Sequence, residues 1–424
     1  MNVTAMLEES LAVWRECPDS LPDFDRSITA VEQAARESQL QRFLDCVQSE
    51  VERPPCTRAE RQAMHQRLTA ALEQFGRSAL RLDDGHIKLL LEGGLSSIGT
   101  HLARAARRFD PAVSVADIFQ ATRNAWTACG LQMLFGQAML LTPSIFAYSM
   151  LYPYSDNYLD DPAVSAETKR GFSVRFGRRL SGQPIEPANA HEAIIWRLVE
   201  QIESQYRRDA SPQVFDSLLG IHRAQEQSIR LLRKGSPAAD VDVARLSFEK
   251  GGASVLADGY LAAERLTAEQ ARFVFFWGIL LQLADDLQDV REDRRDGVLT
   301  LFSQCAGRAP LDAVTSRTLH FGRRTMLLLH QLPSADCLPL RQLIQRSSLS
   351  IIVRSAGEAG EFYTPEYLRM LESHSPFRFA FLNERRAQFA KRSGMLARLF
   401  ESFLAGEEDE PAFPLLPGSL MPRF

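Results

Sequence analysis

The sequence predicts an all-α fold, and three observations carry that expectation. Apolar residues recur with helical period along most of the chain, strict alternation of apolar and polar residues is rare, and Pro-containing breaks separate long periodic segments. The chain has 424 residues, 45% of them hydrophobic and 24% charged, which is enough apolar material for a large core.

Residues 1–84 read as an N-terminal helical extension or cap, built of polar helices with breaks at Pro18, Pro22, Pro54 and Pro55. From Leu89 the chain becomes more apolar. Gly93-Gly94 and Pro111 mark breaks, and Asp117 starts a helix that runs through Ala121, Trp126 and Leu131. From Ala125 to Ser155 there is no charged residue, a length that could span a bilayer. Gln132, Gln137, Thr142 and Pro143 interrupt it, so two buried helices joined near Pro143 are expected instead. Residues 181–190, with Gly182, Pro184 and Pro187, read as a loop. Long helices are expected around 191–208, 212–233, 240–263 and 268–292, and further ones at 311–332 and 338–358. Residues 85–405 thus read as the main helical domain, and 406–424, acidic and then rich in proline, as an irregular tail.

Charge narrows the function. The net charge is −4 with acids and bases interspersed, which argues against a nucleic-acid partner. The six cysteines are scattered with no CxxC pair, so neither a disulfide framework nor a zinc site is expected. The N-terminus carries Glu8 and Glu9 and no basic segment, so no signal peptide is expected and a cytoplasmic setting is the default.

The most informative segment runs from Phe273 to Asp289. At about 100° per residue, Phe276, Leu280, Leu283 and Leu287 form one stripe that should pack on neighbouring helices. Asp285, Asp286 and Asp289 share another arc, above Val274, Phe275, Gly278, Leu281 and Gln282. That arc is not a solvated face, and the expectation is that it lines a cavity with carboxylates at the rim. Clustered carboxylates repel one another unless a cation sits among them, and oxygen ligands without nearby Cys or His favour Mg²⁺. The plain alternative is the polar end of a helix that Arg291, Glu292 and Asp293 continue.

A second acidic group, Asp156, Asp160 and Asp161, ends the charge-free stretch. Asp156 and Asp160 are spaced to share a helix face, Pro153 suits a first helical turn and Pro162 ends the helix. An Asx-rich turn is the plain alternative here.

The segment Gly278-Ile-Leu-Leu-Gln-Leu-Ala-Asp-Asp-Leu-Gln-Asp289 resembles the second aspartate-rich motif of trans-isoprenyl diphosphate synthases. Ser247-Phe-Glu-Lys-Gly-Gly-Ala-Ser-Val-Leu-Ala-Asp258 is similar to the helix that carries their diphosphate-binding lysine, here Lys250. The resemblance covers about residues 85–360. It implies the class I isoprenoid synthase fold, a helical bundle around an apolar cavity.

It also implies about three Mg²⁺ ions on Asp156, Asp160, Asp161, Asp285, Asp286 and Asp289. Lys250, Gln282, Arg230, Arg233, Arg291 and Arg294 would add contacts or positive charge for the diphosphate, as would Arg123 and Asn124. Phe146, Tyr152, Phe275, Gly278 and Leu281 are the candidate pocket residues. The Gly-Gly-Lys-Arg segment of chain elongases is not matched, because Gly93-Gly94 is followed by Leu95 and Ser96. The first acidic motif, His222-Arg-Ala-Gln-Glu-Gln-Ser228 and Lys250-Gly-Gly together look more like the large bacterial terpene synthases of the tetraprenyl-β-curcumene synthase type. His222 by itself reads as a helix-surface or capped residue.

The function implied is ionisation of a long-chain prenyl diphosphate to a terpene. A prenyltransferase is the alternative, and a non-catalytic interaction protein that keeps the fold comes third. A homodimer and peripheral membrane contact are compatible with the sequence, whereas a membrane span is not expected.

Overall fold

A computed structural model of the chain describes residues 2–410 apart from 25, 93, 162, 232–240, 334–336, 392, 405 and 407–409. The described residues are mostly helical and contain no strand, so the all-α expectation holds. No described helix is long and apolar enough to cross a membrane.

The chain divides into two compact units. The first comprises 1–22, 127–337 and 361–363, and the second comprises 23–126, 338–360 and 364–424. Helix α1 (Val3–Glu16) belongs to the first unit. Helices α2 (Ala30–Val51), α3 (Arg58–Ser78), α4 (Asp84–Leu91) and α5 (Leu95–Phe109) belong to the second. Helix α6 (Val115–Leu134) crosses the division. The first unit continues with α7 (Pro143–Leu151), α8 (Asn157–Asp160), α9 (Ala166–Leu180), α10 (Ala190–Gln205) and α11 (Pro212–Ser228). It then holds α12 (Val243–Ala263), α13 (Ala268–Gln288), α14 (Val290–Asp296), α15 (Leu301–Cys305) and α16 (Asp312–Gln331). The second unit closes with α17 (Leu338–Glu358), α18 (Pro365–Glu372), α19 (Phe379–Ala390) and α20 (Ser393–Leu404).

Local chemistry sets many of these boundaries. Thr142 caps α7 and Pro143 fills its first turn, so this proline starts a helix. Asn189 caps α10, and Asp242 caps α12. Thr267 and Gln270 close a reciprocal capping box that starts α13.

Two expectations change. Pro153 does not begin a helix but lies within a π-helical turn, Tyr152–Asp156, that continues α7 into α8. Proline has no N–H to give to the residue four back, and a widened turn accommodates that loss. The long helix expected over 268–292 is broken at Asp289, whose backbone turns α13 into α14.

The first unit is organised around α12 and α13. Phe276 stacks on Phe321 of α16 with ring centroids 5.6 Å apart. Trp14 of α1 meets Phe248 edge-on at 5.6 Å and Phe321 at 6.0 Å. The first helix is thus part of this unit's core, although the sequence grouped it with the rest of 1–84. In the second unit, Leu40, Phe43, Leu44 and Val47 of α2 are buried with Leu68, Leu72 and Phe75 of α3 and with Leu399 and Phe403 of α20.

Candidate functional site

The site is best built from the contact between α12 and α13. A Cβ on Gly251 would lie 2.5 Å from the Cβ of Gln282, and one on Gly252 would lie 2.5 Å from the Phe275 ring. A Cβ on Gly278 would overlap the Gly251 carbonyl oxygen. Only glycine allows the two backbones to come this close. Phe275 and Gly278 therefore form a helix–helix contact rather than the cavity lining the sequence suggested. Leu281 and Gln282 are half-buried further along the same face.

This contact sets Lys250 beside the end of α13. Asp286 is 5% exposed there. Its Oδ1 accepts from Gln282 Nε2 at 2.7 Å, whereas its buried Oδ2 has no hydrogen-bond partner among the described residues. Burial, with help from the Asp285 and Asp289 charges and against Gln282 and Lys250, pushes the Asp286 carboxyl up to about 7. Asp285 is exposed and Asp289 half-buried.

The break at Asp289 brings in a further acid. The Asp293 N–H bonds to the Asp289 carbonyl at 2.8 Å, and Gly297, at φ 77°, ends α14. Burial, followed by the charges of Asp286, Asp289 and Asp285, pushes the Asp293 carboxyl up to about 8. The sequence reading missed this residue as a site member. Its signal was the four-residue step from Asp289.

The first acidic motif meets a different set of partners. Asp156 is half-buried, and its Oδ1 accepts from Gln225 Nε2 of α11 at 2.6 Å and from Ser155 Oγ at 3.0 Å. The Tyr152 and Ser254 hydroxyls form a short hydrogen bond. The Tyr148 hydroxyl donates to the Ser254 carbonyl at 3.2 Å. Burial, and next the Asp258 charge, pushes Tyr152 well above its usual range. Lys250 and Ser254 are one turn apart on α12 and share a face. Both acidic motifs are therefore tied to one face of one helix, the second through Lys250 and the first through Tyr152.

A small pocket, open to solvent, lies against the first motif. Tyr148, Tyr152, Asp156, Phe176, His222 and Gln225 are among its lining. His222 is 6% exposed and meets Phe176 edge-on at 5.3 Å, so it is not the helix-surface residue expected. Burial lowers its pKa, so its neutral form is favoured. His222 and Gln225 are three residues apart on α11, and their i, i+3 spacing, which puts both on one helix face, was the available signal.

Other candidates fall elsewhere. Asp161 is exposed, and its Oδ1 accepts from the Ala163 N–H at 2.8 Å, the local turn that was the plain alternative. Asp160 ends α8, and Arg230 lies in a short 3₁₀ turn after α11; only their backbones are described. Arg233 lies outside the described residues. Arg291 is exposed and forks onto Glu361, with one bond of 2.6 Å. Arg294 lies against Gly307, 5.8 Å from the Phe362 ring centre. Phe146 is buried in α7. Arg123 and Asn124 belong to the second unit.

Among the described residues, no group of three carboxylate, imidazole or thiol side chains is arranged to hold one ion by itself. Mg²⁺ does not require such a cage, since it retains several waters and often takes only one or two carboxylates. The unpartnered Asp286 Oδ2 and the carboxyls of Asp286 and Asp293, both held above their ordinary range, fit a place where a cation would relieve buried negative charge. No family model matches the chain, and comparison with curated proteins gives no match.

Proposed function

We propose that this chain is a Mg²⁺-dependent class I terpene synthase that ionises a long-chain prenyl diphosphate and converts the carbocation to a terpene. The observation that carries the reading is Asp286, a buried carboxylate with one unpartnered oxygen, set between Lys250 and three further aspartates. Such a group destabilises a folded chain unless a bound cation uses it.

Asp286, with one of Asp285, Asp289 and Asp293 beside it, would hold Mg²⁺ at one motif, and Asp156 at the other. The bound metal would supply Lewis-acid charge stabilisation for the departing diphosphate. Gln282 fixes the Asp286 carboxylate, and Gln225 fixes that of Asp156, so each presents an oxygen in a set direction. Lys250 would take a diphosphate oxygen by charge-assisted hydrogen bonding. The allylic C–O bond breaks with its electron pair leaving on the diphosphate oxygen. Tyr148, Tyr152 and Phe176 would keep water from the cation and offer it aromatic faces.

Incubation with C10 to C35 prenyl diphosphates, with Mg²⁺ or with EDTA, and mass analysis of extracted hydrocarbons tests the reading. The expected result is Mg²⁺-dependent diphosphate release with a hydrocarbon product, lost in Asp285→Asn. Products five carbons longer, formed only with added isopentenyl diphosphate, would assign a prenyltransferase instead. No Mg²⁺-dependent release from any substrate would leave the non-catalytic reading.

A further inference from the structure

The second unit holds a charge arrangement that the site above does not use. Four arginines from four separate stretches of chain meet there: Arg26 before α2, Arg36 within α2, Arg81 after α3 and Arg346 in α17. Contacts fix their meeting. Glu32 Oε1 accepts from Arg26 Nη2 at 2.5 Å and from Arg81 Nη2 at 3.0 Å, so two guanidinium groups share one carboxylate oxygen. The other oxygen is taken by the backbone N–H and hydroxyl of Thr29, in the capping box that starts α2. Arg36 lies one turn along α2 from Glu32, on the same face. Arg346 Nη2 donates to the Leu80 carbonyl at 2.6 Å, which anchors its guanidinium next to Arg81 in the chain.

This grouping is unfavourable as it stands. Burial, and next the Arg81 charge, lowers the Arg36 pKa; Arg26 and Arg346 add to this and Glu32 opposes it. Burial likewise lowers the Arg346 pKa, and Asp83 opposes it. Four cations against these two acids leave an excess of positive charge among the six groups. Arg81 also sits at φ 54°, in the left-handed region that a non-glycine residue rarely adopts. The Arg26 and Arg81 side chains nevertheless remain open, at 57% and 49% exposure.

We propose that this cluster binds a phosphoryl group carrying two or more negative charges, as in a phosphate monoester or a diphosphate. Guanidinium forks match phosphate oxygens two at a time, and several forks converging from different segments suit a tetrahedral anion better than a planar carboxylate. Glu32 occupies part of the space such an anion needs and serves as its internal counterpart. The site requires no metal and does not depend on the terpene reading.

Titration calorimetry in EDTA separates the two readings, because removing metal silences diphosphate capture by the acidic motifs. One arm uses inorganic diphosphate. The other uses phosphatidylcholine vesicles with and without phosphatidic acid. The expected result is saturable binding in at least one arm, weakened about tenfold in Arg36→Gln and in Arg346→Gln and kept in Asp285→Asn. Binding in the soluble arm assigns a small phosphorylated ligand, and binding in the vesicle arm alone assigns a lipid headgroup. Circular dichroism checks folding, and Arg26→Gln, at an exposed side chain, replaces any variant that fails to fold. No saturable binding in either arm, or binding that survives all three substitutions, overturns the proposal.

Discussion

Asp286→Asn probes the acidic site most sharply, because stability and activity should move in opposite directions. Burial, ahead of the Asp285 and Asp289 charges, raises the folded-state carboxyl from an ordinary 3.8 to about 7. The unfolded chain therefore releases this proton near pH 4, while the folded chain keeps it until near pH 7. Between those values the folded state binds more protons, so stability falls as pH rises. A rise of that size corresponds to at most about 4 kcal/mol once the pH is above both values. Asparagine keeps the shape and can still accept from Gln282, but its second polar atom would inherit the unpartnered position, at a cost of about 1–3 kcal/mol.

In EDTA at pH 8 the net gain is then about 1–3 kcal/mol, or a few degrees in melting temperature. At pH 5 only about 1–2 kcal/mol of that linkage cost is present, which the unpartnered amide offsets, so no gain is expected. Melting curves from pH 5 to 8 should show the wild-type midpoint falling and the variant's falling less, with Asp293 supplying the remaining slope. Turnover should drop at least about 100-fold. A variant that melts below wild type at pH 8, or a wild-type midpoint that is flat with pH, would refute the account of Asp286 as a carboxylate kept at the expense of stability.

Three further outcomes are expected. Gly278→Ala should destabilise by about 3 kcal/mol or more, because its Cβ overlaps the Gly251 carbonyl oxygen and neither backbone can yield cheaply; an unchanged urea midpoint would contradict that contact. Lys250→Ala should weaken diphosphate binding measured with Mg²⁺ while shifting the melting temperature little, since this half-buried side chain faces Asp286 rather than the core; normal binding with a much lower melting temperature would make it structural. Mg²⁺ and diphosphate together should stabilise the chain by roughly 2.7 kcal/mol at about 100 times the dissociation constant, and by much less singly. That joint gain should vanish in Asp156→Ala and in Asp285→Ala, and its survival in either would separate the two motifs.

Much of this was legible in one dimension. Helical period, the Thr142-Pro143 start, the loop over 181–190 and the apolar run that ends in Asp285, Asp286 and Asp289 are all properties of neighbouring residues, so the sequence by itself determined them. Hydrophobic period and capping chemistry act within a few residues and need no knowledge of the fold.

What joins these pieces was decided in three dimensions. The turn at Asp289 folds Asp293 back among the acids, and the meeting of Gly251 with Gly278 makes a helix contact of a face that reads as cavity wall. Packing buries His222 beside Phe176, and it draws α1 into the core of a unit whose other helices begin more than 100 residues later. Each of these depends on which helices come to lie against each other. That choice rests on contacts between residues far apart in the chain, and periodicity carries no record of the partner.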